Sequence, residues 1–439
     1  MANTMMEELR LRHGKIQAEL RQALAEVEAD AKADAKADAQ TETEARDSRI
    51  GAGSAGTAAQ ARSPEGCAML VACMANVIYA TGRACDAFFY LPLEGAPSLF
   101  MRKPLGLRPE DVGGLEVAYV TKPEQIPGLL ASVGADPPRA LFIEDGQLSY
   151  AEAIRIKRAF GDAELLPGGS QLMRRARSVK TRFETDRLRE TCARLSGVFE
   201  RIPELYRPGM ADAELGRSIE HELCRAGHLG IIRVFGRSME VPSGGSLLTG
   251  RNATAQGAYD FAISGGGRDL AMPVGADGSP LEKGKTVLID FACCANGYIG
   301  DMSRTFAIGD PPPEALEAHA AALEAQELVA LAAKPGAICQ DLYEIALNHA
   351  ASRGLGKYFM GYGLQSKFVG HGVGLELNEM PILAQRIDTR LCEGMAVAIE
   401  PKFTLPGIGA VGVENTFIVT SDGLERLTLC PDDMATLPA

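Results

Sequence analysis

Five residues in the second half of the chain have the types and spacing that metal chemistry needs: Asp290, Asp301, His371, Glu400 and Glu414. Asp290 follows the apolar run Val287-Leu-Ile289, and Asp301 opens Asp301-Met-Ser-Arg-Thr-Phe306. Between them stands Asn296-Gly297, the strongest short hairpin signal a sequence carries. With those two residues as the loop, Ala295 faces Tyr298 and Ala292 faces Asp301. Side chains alternate faces along a strand, so Asp290 and Ala292 share a face. Asp290 is then a diagonal neighbour of Asp301, with Cβ atoms roughly 7 Å apart. Two carboxylates converging from rigid strands repel each other unless a cation sits between them. A solvated hairpin would tolerate two surface acids, but Val287, Leu288, Ile289, Phe291 and Phe306 mark this one as buried. Buried acids need partners, and a metal is the partner that answers both.

A second hairpin supplies matching acids. With its loop centred on Gly407, Phe403 faces Val411 and Glu400 falls opposite Glu414 on one face. Between the hairpins lies Gly370-His-Gly-Val-Gly-Leu-Glu-Leu-Asn-Glu-Met-Pro381. Glycines on both sides of His371 allow close backbone approach. A lone histidine is more often structural than a ligand, and four acids in two hairpins reverse that weighting here. The set is oxygen-rich with one imidazole, enough for two divalent ions about 3.5–4 Å apart. It contains no cysteine, so Mn, Co, Zn or Fe fit.

The elements that position these residues follow from the pattern. Met5–Ala25 has helical character, with Ile16, Leu20 and Leu24 at four-residue steps. The alternating Ala-Asp-Ala-Lys stretch and the Thr, Ser, Gly and Ala residues that follow have almost nothing to bury. Residues 27–63 are therefore expected to be a low-complexity, disordered insertion. A β segment begins at Cys67–Tyr79. Strands at 87–92, 97–101, 115–120 and 140–143 then alternate with helical stretches at 123–133 and 150–160, an α/β domain. From Lys180 the plan changes. Two helices (184–206 and 211–226) precede strands at 231–235, 246–248 and the hairpin 286–308. Two more helices (313–333 and 342–353) precede strands at 396–405, 410–420 and 426–429. Pro-Gly follows the first helix each time, which suggests an internal duplication with a site between the halves.

Composition narrows the class. A chain of 439 residues suggests two domains. The net charge of −12 argues against nucleic acid as the main partner. No signal peptide and no apolar run long enough to span a membrane is visible. Ten scattered cysteines without a Cys-x-x-Cys pair read as free thiols in the cytoplasm, with Cys293 and Cys294 as core residues. His221 and His228 are too far apart for a His-Glu-x-x-His site, and Gly354-Leu-Gly-Lys357 lacks the strand that a phosphate loop needs.

Together these residues resemble the pita-bread metallopeptidases: Xaa-Pro aminopeptidases, prolidases, methionine aminopeptidases and creatinase. The resemblance rests on the two-aspartate hairpin ending in Asp-Met-Ser-Arg-Thr-Phe, and on Gly-His-Gly-Val-Gly-Leu, Ile-Glu-Pro and Gly-Val-Glu-Asn-Thr. It implies a pita-bread catalytic domain, a duplicated α-β fold, over 179–439. Residues 1–26 and 64–178 resemble the creatinase-type amino-terminal α/β domain, notably Asn76-Val-Ile-Tyr-Ala-Thr-Gly82 and Glu94-Gly-Ala-Pro97. By that resemblance Asp290, Asp301, His371, Glu400 and Glu414 hold two metal ions. Glu400 also takes a proton from water, the substrate is a small peptide, and the chain is a homodimer.

The sequence also departs from the family. The stretch that corresponds to a substrate-facing histidine is Ala271-Met-Pro-Val-Gly275, which places Val274 there. A second histidine position is Asn378 and a third is Lys367, both assigned here to substrate binding. An arginine position two residues before the last glutamate is Gly412. Asparagine can hydrogen-bond a carbonyl oxygen but cannot shuttle a proton at neutral pH. Three readings follow. The first is an Xaa-Pro aminopeptidase or dipeptidase with altered substrate contacts. The second is a hydrolase or lyase acting on a non-peptide C–N bond, and the third a binding protein without catalysis.

Overall fold

The computed structural model describes residues 2–46, 66–236, 245–257, 259 and 261–439. The chain divides into two compact units, Met1–Ala176 and Arg177–Ala439, where the sequence suggested a boundary at 179. No helix among the described residues is long and apolar enough to cross a membrane.

The first unit is built on one mixed sheet. Its elements are α1 (Ala2–Arg46), β1 (Cys67–Val71), α2 (Met74–Thr81), β2 (Ala87–Pro92), β3 (Ser98–Met101), β4 (Glu116–Tyr119), α3 (Ile126–Ser132), β5 (Ala140–Ile143), α4 (Tyr150–Phe160) and β6 (Glu164–Leu166). Strand order is β4-β3-β2-β1-β5-β6. Helix α1 buries Leu9, Ile16, Leu20 and Leu24. It continues through the Ala-Asp-Ala-Lys repeat to Arg46, so 27–46 of the expected disordered insertion is drawn as helix. Alanine and lysine are strong helix formers, which is enough to extend an established helix. The rest of that stretch, 47–63, lies outside the described residues. The expected β segment 67–79 is only half strand. After β1 the chain turns into α2, which ends at Gly82 in the left-handed region (φ 72°), its N–H donating to the Ile78 carbonyl. Helix α5 (Gly169–Ser178) carries the chain across the division.

The second unit contains α6 (Arg182–Phe199), α7 (Ile202–Leu205), α8 (Asp212–Arg225), β7 (Gly245–Thr249), β8 (Thr286–Ala295) and β9 (Tyr298–Ile308). Helices α9 (Pro313–Ala332) and α10 (Cys339–Ser352) follow. Then come β10 (Phe368–Gly372), β11 (Glu379–Ala384), β12 (Ala396–Ile399), β13 (Lys402–Leu405), β14 (Gly409–Gly412), β15 (Asn415–Val419), β16 (Leu424–Arg426) and β17 (Ala435–Leu437). The strands form three sheets: β17-β9-β8-β7, β11-β10-β12-β15-β16 and the two-stranded β13-β14. Each half has its own core. Alternate residues of β8 (Val287, Ile289, Phe291, Cys293, Ala295) pack with Leu195, Phe199, Leu215 and Ile219 of α6 and α8. Ala318, Ala322, Ala325 and Val329 of α9 and Leu342 and Ala346 of α10 pack with Val369, Val397, Ile399 and Val413. Burying one face of each sheet against helices leaves the other face for polar residues.

One expected strand is absent. Residues 231–235 are irregular. They are held instead by the segment around residue 378, where Leu377 N donates to Arg233 O at 2.7 Å.

Candidate metal centre

The β8–β9 register matches the spacing argument to the residue. Ala295 pairs with Tyr298 and Ala292 with Asp301. The turn residues Asn296 and Gly297 both have positive φ, 53° and 86°, as a tight primed turn requires. Asp290 and Asp301 therefore sit on the face turned away from α6 and α8. The clamp on Asp301 is tight: its N–H donates to Thr416 Oγ1 at 3.1 Å, and that hydroxyl donates to the Asp301 carbonyl at 2.8 Å.

The other two acids arise where strands break. The expected strand 396–405 is interrupted at Glu400-Pro401, and 410–420 at Val413-Glu414. Pairing nonetheless keeps one register across the break, Lys402 with Gly412 on one side and Ile399 with Asn415 on the other. Glu400 thus faces Glu414 in register. Glu414 also bridges to Ser303 of β9, opposite which stands Asp290. On the other side His371 pairs with Ala398, two residues before Glu400. One glutamate therefore links the acids of β8–β9 to the histidine of β10.

The side chains gather in two groups: Asp301, His371 and Glu414, and Asp290, Glu400 and Glu414. In the first, His371 Nε2 lies 3.7 Å from Asp301 Oδ2, 3.5 Å from Glu400 Oε1 and 3.9 Å from Glu414 Oε1. The first and last are too long for hydrogen bonds, and all three suit donors sharing one ion at bond lengths of about 2.0–2.2 Å. Glu414 Oε1 is buried and has no hydrogen-bond partner among the described residues. A buried carboxylate oxygen left unpaired is costly, so this group fits a cation. The His371 ring is oriented by a 3.1 Å contact between Nδ1 and the Gly372 carbonyl.

The second group already contains a cation that the sequence reading missed. Lys402 Nζ donates to Asp290 Oδ2 at 2.7 Å, Glu400 Oε2 at 2.6 Å and Glu414 Oε2 at 3.0 Å. Its side chain is 0 % exposed. Ser303 Oγ completes Glu414 Oε2 with a 2.6 Å bond. Burial opposes the ammonium, but the carboxylates of Asp290, Glu400 and Glu414 outweigh it and hold Lys402 well above the usual lysine range. Burial, reinforced by Glu414 and Asp290, pushes the Asp301 carboxyl well above the usual carboxylate range. The signal was available. Lys402 is two residues from Glu400, hence on its face, and the register that pairs Phe403 with Val411 also sets Lys402 against Gly412. An added Cβ at Gly412 would lie 2.6 Å from Lys402 Cγ.

The positions assigned to substrate binding have partners of their own. Asn378 donates its amide to the Phe235 carbonyl and accepts from the Phe235 N–H, both at 2.7 Å. Its amide group is thus engaged with the backbone of residue 235. Lys367 is exposed and lines a cavity of about 500 Å³ with Tyr259, Phe261, Tyr362 and Phe368, none of the five candidate ligands among its walls. Val274 is 6 % exposed. Cys293 and Cys294 are fully buried, in the core role expected of them.

Comparison with known proteins places the chain in a family. Residues 186–421, more than half of the chain, match Metallopeptidase family M24. An Xaa-Pro dipeptidase from Pyrococcus furiosus is 37% identical over 193 residues, 44% of this chain and 53% of that one. The chain thus spans about half the length of that relative. The probable dipeptidase PepE of Mycobacterium bovis is 26% identical over 374 residues, 83% of this chain and 90% of its own. Among solved structures, an Xaa-Pro dipeptidase from Bacillus anthracis superposes with a TM-score of 0.70 at 26% identity, covering 84% of this chain and 95% of that one.

Proposed function

The chain belongs to metallopeptidase family M24, and on that premise we propose that it is a metal-dependent hydrolase of small peptides, of the Xaa-Pro dipeptidase or aminopeptidase class. The observation that carries this reading is the convergence of Asp301, His371 and Glu414, with an orphaned buried oxygen on Glu414. These three residues, with Glu400 beside them, would hold a divalent ion such as Mn, Co, Zn or Fe. When bound, that ion supplies Lewis acidity to water and to a substrate carbonyl.

The chain's own residues do the rest. Glu400 has one oxygen tied to Lys402 and the other facing His371. It is the carboxylate placed to accept the proton of an attacking water and to return it to the leaving nitrogen. The Gly372 carbonyl fixes the plane of the His371 ring, as a partner on the second ring nitrogen does at metal sites. Lys402 holds Asp290, Glu400 and Glu414 in one arrangement. Homodimeric assembly and a cytoplasmic setting belong to the same proposal, drawn from the family resemblance and the scattered cysteines respectively.

A second reading has its own support. Asn378 is bound to the Phe235 backbone and Val274 is apolar and buried. Neither position offers a proton carrier, which favours a non-peptide substrate with a C–N bond on the same metal scaffold. A panel of Xaa-Pro dipeptides and small amides, assayed with Mn, Co, Zn or Fe added, decides between them. Metal-dependent cleavage of Xaa-Pro dipeptides that disappears in His371→Ala supports the peptidase. Peptides at background while an amide is turned over supports the alternative.

A further inference from the structure

We infer that the Lys402 ammonium takes the place of a second metal ion, so that the centre holds one divalent ion and one built-in cation. The inference rests on the metal-dependent reading above and changes what the centre contains.

Five donor residues make two three-residue groups that share Glu414. Each group has the composition to hold a cation, and a pair of ions would need both. The two oxygens of Glu414 divide them. Oε2 accepts from Lys402 and Ser303, while Oε1 is buried and unpaired on the side of His371. Glu400 divides the same way, with Oε2 on Lys402 and Oε1 towards His371. Asp290 gives Oδ2 to Lys402 as well. All three residues of the second group therefore direct an oxygen at Nζ, at 2.6–3.0 Å. An ammonium and a divalent ion cannot share that point: both are cations that need the same oxygens. The position is built, not incidental. The lysine stem runs across the ladder from Gly412, where a side chain would collide with Cγ at 2.6 Å, Cα at 2.9 Å and the Pro401 carbonyl at 2.8 Å. A buried ammonium is stable only when paired in this way, and here three carboxylates provide the pairing. An ammonium supplies charge but no open coordination position, so activation of water falls to the Asp301–His371–Glu414 side alone.

Metal stoichiometry of the full chain tests this without reference to turnover. Apo protein is equilibrated with excess Co²⁺, and in parallel with Mn²⁺, Zn²⁺ and Fe²⁺, then dialysed and assayed by elemental analysis, with titration calorimetry alongside. The wild type is expected to hold one equivalent, and Lys402→Gly and Lys402→Met to gain a second. Lys402→Arg, which keeps the charge, is expected to stay at one. A second wild-type equivalent within about tenfold of the first in affinity overturns the inference. So does a single equivalent in folded Lys402→Gly and Lys402→Met, since the lysine would then exclude nothing. The wild-type stoichiometry decides by itself if those variants fail to fold. Wild type that takes up none of the four ions overturns the metal-dependent reading instead, which keeps the two failures apart.

Discussion

Lys402 stands directly across the β13–β14 ladder from Gly412, and the space that a side chain at 412 would fill is occupied by the lysine stem. The pair explains how a fully buried ammonium reaches three carboxylates from a strand where a larger opposite residue would block it.

Gly412→Ala should therefore be destabilising although alanine is small. The added carbon meets Lys402 Cγ and the Pro401 carbonyl, and overpacking of this kind costs about 1–3 kcal/mol. Thermal unfolding should show a drop of several degrees. In Gly412→Ala combined with Lys402→Gly the loss should be less than additive, because the Cγ contact is gone and only the backbone contacts, to the Pro401 carbonyl and the Cα of residue 402, remain. Strict additivity would show that the two positions do not touch in solution.

Asn378→Ala should loosen 231–236 without affecting metal uptake. The substitution removes both side-chain bonds to Phe235, each worth about 1 kcal/mol. Hydrogen exchange at the Phe235 amide should accelerate about fivefold or more. Unchanged protection there would mean that other contacts fix the segment. Asn378→His is expected to behave like the alanine variant in this assay, since the two imidazole nitrogens point away from each other and cannot reach both the N–H and the carbonyl of residue 235 as a side-chain amide does.

Glu379 should contribute acid-sensitive stability. Burial raises its carboxyl, but Arg177 and Lys180 outweigh that and leave it below the usual glutamate range. Lys180 Nζ donates to it at 2.6 Å, and Arg177 also pairs with Glu376. A lowered folded-state value gives stability that is present above the unfolded value of about 4.3 and lost as pH falls through the folded one. The melting-temperature gap between wild type and Glu379→Gln should be largest near neutrality and close as pH drops below about 4.3. Glu379→Ala, which strands the buried cations, should cost about 3–5 kcal/mol. A gap constant from pH 7 to pH 3 would dismiss the ion cluster as the cause.

Deleting 30–62 should leave the melting temperature unchanged. Among the described side chains of α1 the last buried ones are Ala23 and Leu24. The test is differential scanning calorimetry of the deleted chain, and a fall of more than a few degrees would show that the segment packs.

What was legible in the sequence depended on locality. The β8–β9 register followed from two adjacent turn residues and strict alternation, and those constraints sit within twenty residues of chain. The opposition of Glu400 and Glu414 was equally readable from Phe403 and Val411. The break at Pro401 was open to reading, since proline has no N–H for the ladder; the break at Val413 was not, because there Glu414 joins β9 through Ser303, a contact between distant segments. The start of helix α2 reads as strand within 67–79 because Val77, Ile78 and Tyr79 have high β propensity. Its burial on most sides, with Val77, Tyr79 and Ala80 at 0 % exposure, overrode that preference. Residues 231–235 alternate like a strand but bond to the Leu377–Asn378 segment through single contacts rather than a ladder among the described residues. Lys402 was overlooked for a different reason. Metal-site patterns are made of residues that bind cations, and a lysine is itself a cation.

The continuity of register from Ile399–Asn415 to Lys402–Gly412 makes the intervening hairpin a ruler. Its tip, Pro406-Gly-Ile408, can change composition with little effect at the centre. Its length cannot. One residue added or lost between 403 and 411 would turn Gly412 and Glu414 to the opposite face. The lysine would lose the gap it threads, and the histidine side would lose its shared carboxylate. Drift in this loop is thus confined to substitution, and insertions there should be absent from any functional descendant of the chain.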